Sequence, residues 1–364
     1  NYGAQYASHG GRVAVHYDPA AQLTTSCRVT FQARGGMTAA ATSKKTMTGV
    51  PSVGKDPNEP VVAACGTLWF PDNQLLTEPI HTAGGLRLAG RWAGPVPLTE
   101  LVVAGDYALT NCWLTLPATL ERISIGGNLE IVGTGTTAYS GLTGGLVLSS
   151  PAEMTVAGDL AIRNSRLELD AGGSVSVGGN LLMITNSVPH ANLVNQAGPH
   201  LVIHPTPGEG GGARIDVAKS WVLSNLSFVY PWCDPTTGSY VAMTAKNLVM
   251  DEGATICADG CGFAPGYGPG IPALTDAKVG AAHGGRGAAI DASTSNKLCE
   301  AYGDYKMPCE AGSGGNISSG LGVPGGGVVH LTVAKNAVIN GTISANAATN
   351  VASNPSSGAS GGTV

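Results

Sequence analysis

Val102-Val-Ala-Gly-Asp106, Ser124-Ile-Gly-Gly-Asn128, Thr155-Val-Ala-Gly-Asp159 and Ser176-Val-Gly-Gly-Asn180 are four versions of one five-residue phrase. They recur 22, 31 and 21 residues apart, and the last three run directly into Leu129, Leu160 and Leu181. Each reads as a short alternating strand, a corner, and a second short strand, which is one coil of a stacked parallel architecture. Glycine tolerates the left-handed conformation without a Cβ clash, and Asn or Asp tolerates it better than most residues, so the reading assigns these positions to corners.

The stretches between the corners agree. Arg122-Ile-Ser-Ile125, Leu146-Val-Leu148 and Arg166-Leu-Glu-Leu-Asp170 alternate with period two, one face in and one face out. Gly or Pro interrupts nearly every twelve-residue window, and no apolar i, i+3, i+4 pattern follows a capping box, so very little helix is expected. The expectation is an all-β, mainly parallel β-helix (β-solenoid) with long glycine-rich loops. At 25 to 30 residues per coil and about 4.8 Å per coil, it would be about 60 to 70 Å long.

A second, glycine-richer repeat occupies both ends. Gly10-Gly-Arg-Val-Ala-Val-His-Tyr17 leads to Val29-Thr-Phe-Gln-Ala-Arg-Gly-Gly36, as Gly325-Gly-Gly-Val-Val-His-Leu-Thr-Val333 leads to Ile339-Asn-Gly-Thr-Ile-Ser-Ala-Asn346. The chain divides into glycine-rich coils over 1–70 that continue the pattern of 325–364, regular central coils over 71–255, and a glycine- and cysteine-rich loop region over 256–324, all in one module. Gly361, Gly362, Thr363 and Val364 align with Gly10, Gly11, Arg12 and Val13. That alignment marks both sets as self-assembly ends, with unpaired strand edges on which a copy of the chain can stack.

Composition narrows the function. Of 364 residues, 54 are glycine, yet 43% are hydrophobic, so the chain can bury a core, and the scarcity of Phe (4) and Trp (5) makes that core narrow. A net charge of −5 without a basic run argues against a nucleic-acid partner, and no stretch of 18 apolar residues offers a membrane span. Numbering from Asn1 fits a leader already removed from a secreted protein. Eight cysteines, Cys27, Cys65, Cys112, Cys233, Cys257, Cys261, Cys299 and Cys309, permit four disulfides in an oxidising compartment. The pairing is open, with Cys257–Cys261 and Cys299–Cys309 the first to test. Sequons at Asn225, Asn316 and Asn340 are glycosylation candidates for a cell-surface protein.

Catalytic patterns are thin. Asp251-Glu252 is the only adjacent acidic pair, and a β-helical polysaccharide lyase or hydrolase needs clustered acids at fixed separation. His283-Gly-Gly-Arg-Gly287 could hold an anion, but reads more simply as a loop laid flat on the scaffold, its His and Arg bonded to loop carbonyls. No cofactor is expected: the Gly-Asp corners at Asp106 and Asp159 each offer Ca²⁺ a lone carboxylate where a stack of acids is needed. Trp221, Tyr230, Trp232 and Tyr240 form the one aromatic concentration and would contact sugar if they lined an exposed groove; a covered sheet face is the competing reading.

At Gly10–Tyr17, Ala33-Arg-Gly-Gly36, Ala64-Cys-Gly-Thr-Leu-Trp69, Ala258-Asp-Gly-Cys-Gly-Phe263, His283–Gly287, Gly312-Ser-Gly-Gly315 and Asn340–Asn346 the chain resembles glycine-rich extracellular β-solenoid repeat proteins, the large surface and matrix proteins of bacteria, algae, oomycetes and plants. The resemblance implies a β-solenoid with adhesive or architectural roles and no catalytic motif to carry over. Cys65, Cys257 and Cys261 stand where it leads one to expect small residues, which suggests added cross-links. The expected function is a non-enzymatic structural subunit of an extracellular filament or surface array, built from copies of itself. A glycan-binding adhesin and a pectate-lyase-like enzyme are the alternatives.

Overall fold

The computed structural model describes residues 10–22, 29–33, 65–76, 86–134, 144–185, 198–208, 210–271, 279–288, 299–315, 322–348 and 358–364. Four strands come first: β1 (Arg12–Ala14), β2 (Thr30–Gln32), β3 (Thr67–Trp69) and β4 (Arg87–Ala93). Strands then follow in threes. The first triplet is β5 (Glu100–Val103), β6 (Tyr107–Thr110) and β7 (Trp113–Leu116), and the second is β8 (Arg122–Ile125), β9 (Leu129–Val132) and β10 (Gly144–Leu148). The third is β11 (Glu153–Val156), β12 (Leu160–Arg163) and β13 (Ser165–Leu169), and the fourth is β14 (Gly173–Val177), β15 (Leu181–Ile184) and β16 (His200–Ile203). Beyond these the first two members merge into one long strand: β17 (Gly211–Leu223) with β18 (Phe228–Pro231), β19 (Tyr240–Met250) with β20 (Thr255–Cys257), and β21 (His330–Ile339) with β22 (Thr342–Ser344). Among the described residues the only helical pieces are Pro19–Gln22 and the 3-10 turn Gln74–Leu76. The protein is all-β, its strands pair in parallel, and they form two sheets.

One sheet runs β1-β3-β4-β7-β10-β13-β16-β18-β20-β22, with β2 also on β4. The other stacks β5-β8-β11-β14 and β6-β9-β12-β15 on the two halves of β17, then β19 and β21. Register carries like onto like. Leu109, Ile131, Ile162, Met183, Leu223 and Met250 form one column. Leu114, Leu146, Leu167, Leu201, Val229 and Ile256 form another on the first sheet. Both columns belong to one hydrophobic cluster of almost fully buried side chains. Aliphatic columns suit this geometry because neighbouring strands lie only about 4.8 Å apart, so each side chain packs on its own kind. Along the first sheet, ten strands at that spacing span about 43 Å. This is shorter than the length expected from residues per coil, because described segments such as 258–271, 279–288 and 299–315 add no strand.

The corners of the opening phrase are built differently from the expectation. None of Gly105, Gly127, Gly158 and Gly179 has a positive φ, nor do Asp106, Asn128, Asp159 and Asn180. They are held by a side-chain ladder instead. Asp106 Oδ1 accepts from Asn128 N (2.7 Å), Asn128 Oδ1 from Asp159 N (2.8 Å), and Asp159 Oδ1 from Asn180 N (2.7 Å). The Asn128 and Asn180 amides also donate to the carboxylates before them, each at 3.1 Å. Glycine precedes each later member because a Cβ on Gly127, Gly158 or Gly179 would collide with the previous side-chain oxygen. The left-handed conformation is used at the next corner, by Asn111 (φ 52°) and Asn164 (φ 44°), where Asn is among the least penalised residues.

The glycine-rich region forms backbone contacts with little regular strand. The consecutive amides of Gly325, Gly326 and Gly327 donate to Phe263 O, Ser360 O and Ala258 O, so the acceptor alternates between two distant segments. Backbones approach this closely only where no Cβ stands between them.

Candidate functional site

The ends of the two sheets are unlike. At the start of the second sheet, Leu101, Val103 and Tyr107 on β5 and β6 are buried, 2–3% exposed, packed in one cluster with Leu75 and Leu76 of the 3-10 turn. The Tyr107 hydroxyl donates to Leu76 O (2.9 Å). The core is therefore capped at this end, while β1, which carries Arg12 and Val13 of the expected N-terminal assembly end, pairs with β3 alone among the described residues. At the other end, β21 closes the described path, and its side chains lose their cover. Met250 is fully buried, but its register partner Ile339 is 47% exposed, and the neighbouring Val338 is 51% exposed. Leu331, Val333 and Ile343 are only partly buried against the core. The termination falls on β21 because, among the described residues, no strand pairs with its outer side.

The terminal glycine repeats fold into the same knot of three segments, and the structure corrects their alignment. In the N-terminal knot, Gly66 N donates to Ala33 O (2.6 Å) and Thr67 N to Gly11 O (3.1 Å), with Arg12 opposite Thr67 in parallel register. In the C-terminal knot, Gly362 N donates to Ala345 O (2.7 Å) and Thr363 N to Gly327 O (3.0 Å), with Val328 opposite Thr363 in parallel register. A Cβ on Gly66 would strike Gly11 O and Gly10, and one on Gly362 would strike Gly327 O and Gly326. Gly10, Gly11 and Arg12 therefore correspond to Gly326, Gly327 and Val328. Gly361, Gly362, Thr363 and Val364 correspond to Cys65, Gly66, Thr67 and Leu68, and not to Gly10–Val13 as the linear alignment had it. Two glycines are too little sequence to choose between these registers; the bonding pattern makes the choice.

The aromatic group does not line an exposed groove. Trp221 is fully buried in the core, opposite Leu181 and Leu248. Tyr230 and Trp232 are also buried, with Tyr230 stacked on His200 (6.0 Å) and Trp232 on His204 (5.3 Å). Tyr240 is half-buried, edge-on to His330 (5.3 Å). The sugar-contact expectation is therefore corrected: period two sends Trp221 inward, and Tyr230 and Trp232 lie under cover.

His283 and Arg286 part company. The imidazole is buried, with Nδ1 2.8 Å from Gly361 O, whereas Arg286 is exposed and pairs with Glu300 (2.7 Å) rather than with a loop carbonyl. Asp251 and Glu252 are both exposed in a turn. One acidic group went unseen in the sequence. Glu168, Asp170 and His204 bring their ligand atoms within 4.8 Å of one another. Glu168 and Asp170 share a face at spacing two, and His204 arrives from the end of β16 by register, which no linear motif shows. Glu168 is already engaged there, bound by the buried Arg166 at 2.7 Å.

Cys112, Cys233, Cys299 and Cys309 are thiols in the structure, which does not join Cys299 to Cys309, one of the pairings left open; Cys27 lies outside the described residues. Cys261 Sγ donates to Asp259 O (3.5 Å), and Cys257 and Cys65 are buried and half-buried. Burial pushes the Cys233 thiol up to about 12, aided by Asp234, against the opposing backbone bond with Val328. Burial alone would raise Asp234, but hydrogen bonds from the hydroxyls and amides of Thr236 and Thr237 outweigh it and hold the carboxyl below its ordinary value. Asn225 and Asn340 are exposed, although Ser227 of the first sequon is buried and bonded to Met183 O (3.0 Å). Asn316 lies outside the described residues.

No protein-family model, curated protein or solved structure matches the chain. Among the described residues no helix is long and apolar enough to cross a membrane.

Proposed function

We propose that the strand triplets close as coils of a parallel β-helix, and that the chain is a non-enzymatic structural unit of an extracellular filament or surface array that continues axially into further copies of itself. The observation that carries this reading is the end at β21 and β22. A parallel ladder stops there with its interior column part-exposed and its outer strand edge unpaired among the described residues. Such an edge recruits another strand unless something blocks it. Two features support a load-bearing role. The aliphatic columns and the Asp–Asn ladder repeat along one axis, so axial stiffness follows from many small equal contacts. The two glycine knots share one bonding pattern, as expected of a unit that repeats. An extracellular setting rests on the glycine-rich, charge-poor composition. The burial of Trp221, Tyr230 and Trp232 weighs against the aromatic part of the adhesin alternative.

Negative-stain microscopy and light scattering of purified protein over a wide concentration range test the proposal. Unbranched filaments one unit wide are expected, and their formation should fail in Val338→Lys/Ile339→Lys. A strictly monomeric protein at all concentrations, or release of reducing or unsaturated sugar from a polysaccharide, would overturn it.

A further inference from the structure

The N-terminal knot shows what a glycine knot carries on the side that faces along the sheet toward β22: strand β4. Residues Thr30–Gln32 pair with Arg87–Ala89 and Thr67–Trp69 with Arg91–Ala93, so two short strands of the knot lie end to end along one seven-residue strand. Two bonds tie the knot itself to that strand: Ala33 N donates to Ala89 O (2.7 Å), and Gly66 O accepts from Arg91 N (2.7 Å). Gly90 sits between them, where a Cβ would overlap Leu68 Cγ and crowd Gly66 O.

The C-terminal knot repeats this receptor without the strand. By the correspondence of the knots, Thr342-Ile343-Ser344 stands for Thr30-Phe31-Gln32, Ala345 for Ala33, Gly362 for Gly66, and Thr363-Val364 for Thr67-Leu68. β22 is bonded to β20 on its inner side, where Thr342 N donates to Ala254 O and Ser344 O accepts from Ala258 N. Alternation then turns the amide and carbonyl of Ile343 and the amide of Ala345 outward. Beyond β22 the sheet has no further strand among the described residues. The side chains on this edge are of the same kinds: a threonine and an apolar residue from each segment.

We propose that the outward edge of the C-terminal knot, formed by β22, Ala345, Gly362 and Thr363, is a receptor for a β4 strand supplied by a second copy of this chain. The inference rests on the reading of the chain as a unit that continues into copies of itself, and it names the joint. In the second copy β4 already carries its own N-terminal knot. Joining is thus an exchange in which one knot replaces its equivalent, and the bonds lost and gained are of one type. The joint is strand addition, with main-chain bonds supplying affinity and Gly90 supplying selectivity.

The full-length protein and a fluorescein-labelled peptide spanning Leu86–Pro97 test this by anisotropy. Saturable binding is expected. In the peptide, Arg91→Pro, which removes the amide that meets Gly66 O, and Gly90→Val should each weaken it at least tenfold, and neither variant touches the folding of the protein. In the protein, Ala345→Pro should do the same. No binding, or equal binding of the parent and both variant peptides, would overturn the inference. Filaments that form but are not shortened by excess peptide would overturn this joint and leave the filament reading standing. Specific peptide binding by a protein that never forms filaments would do the reverse.

Discussion

The alternation of acid and amide along the corner ladder gives a sharp prediction at Asn128. Asn128→Asp is nearly isosteric, and its Oδ1 can still accept from Asp159 N, which bonds Asn128 Oδ1 at 2.8 Å. What changes is charge: a third carboxylate enters between Asp106 and Asp159 at a strand spacing of about 4.8 Å. Each like-charge pair at that distance costs about 0.9 kcal/mol in a water-like dielectric and about 3.5 kcal/mol at an effective dielectric of 20. The donation from Asn128 Nδ2 to Asp106 Oδ1 (3.1 Å) is lost as well, at about 1 kcal/mol. Asp106 and Asn128 are exposed, so the water-like value applies, and with two neighbours the total is about 3 kcal/mol at low salt, which for a chain of this length lowers Tm by about 4 °C. The new carboxyl is raised by its two neighbours, so the deficit is present at neutral pH and shrinks as pH falls and the group takes up a proton. Calorimetry at pH 7 in 20 mM and 500 mM NaCl, repeated at pH 4, measures it. Salt should recover about half of the deficit, and adding Asp106→Asn should recover much of the remainder. A variant as stable as the parent, or one whose deficit ignores both salt and Asp106→Asn, would refute the ladder argument.

Three other outcomes are expected. Gly127→Ala should destabilise by about 2 kcal/mol or more, because its Cβ collides with Asp106, while Gly11→Ala, with nothing within 4 Å of the new Cβ, should be near neutral in the same denaturation assay. Cys233, raised to about 12 by burial, should react with a thiol reagent at pH 7.5 on the order of 10³-fold more slowly than an exposed cysteine. Because that pKa lies above its unfolded value, the thiol's contribution to stability is complete below about pH 9 and declines as pH rises toward 12, a slope that Cys233→Ala should remove in alkaline denaturation. Asp234 has the opposite sign. Its carboxyl is depressed by Thr236 and Thr237, so its contribution is present above its unfolded pKa and is lost as pH falls through the lower folded value; Asp234→Ala should flatten the acid limb of the stability profile.

Much of the fold was legible because it is local and periodic. Alternation at Arg122–Ile125 and Leu146–Leu148 placed strands where β8 and β10 lie, and four Gly-Asp/Asn phrases marked a corner at each turn from one ladder to the next. The physical reason given for those corners was the part that failed, since their glycines make room for a side-chain oxygen of the neighbouring strand and adopt no left-handed φ. The residue that owns that oxygen stands 20 to 30 positions before the glycine, so no local rule could name it.

What the sequence determined by itself was chemistry that depends on near neighbours: an all-β chain, almost no helix, narrow aliphatic columns and two related glycine-rich ends. Tertiary structure decided everything that depends on which distant backbones meet. It buried Trp221, Tyr230 and Trp232, drew Glu168, Asp170 and His204 together, capped the core beside β5 and β6 while leaving Ile339 on β21 half exposed, and matched Gly362 with Gly66 rather than with Gly11. A glycine has no side chain by which a reader of the sequence could tell one register from another. Only the carbonyl pressed against its Cα distinguishes them, and that carbonyl belongs to another part of the chain.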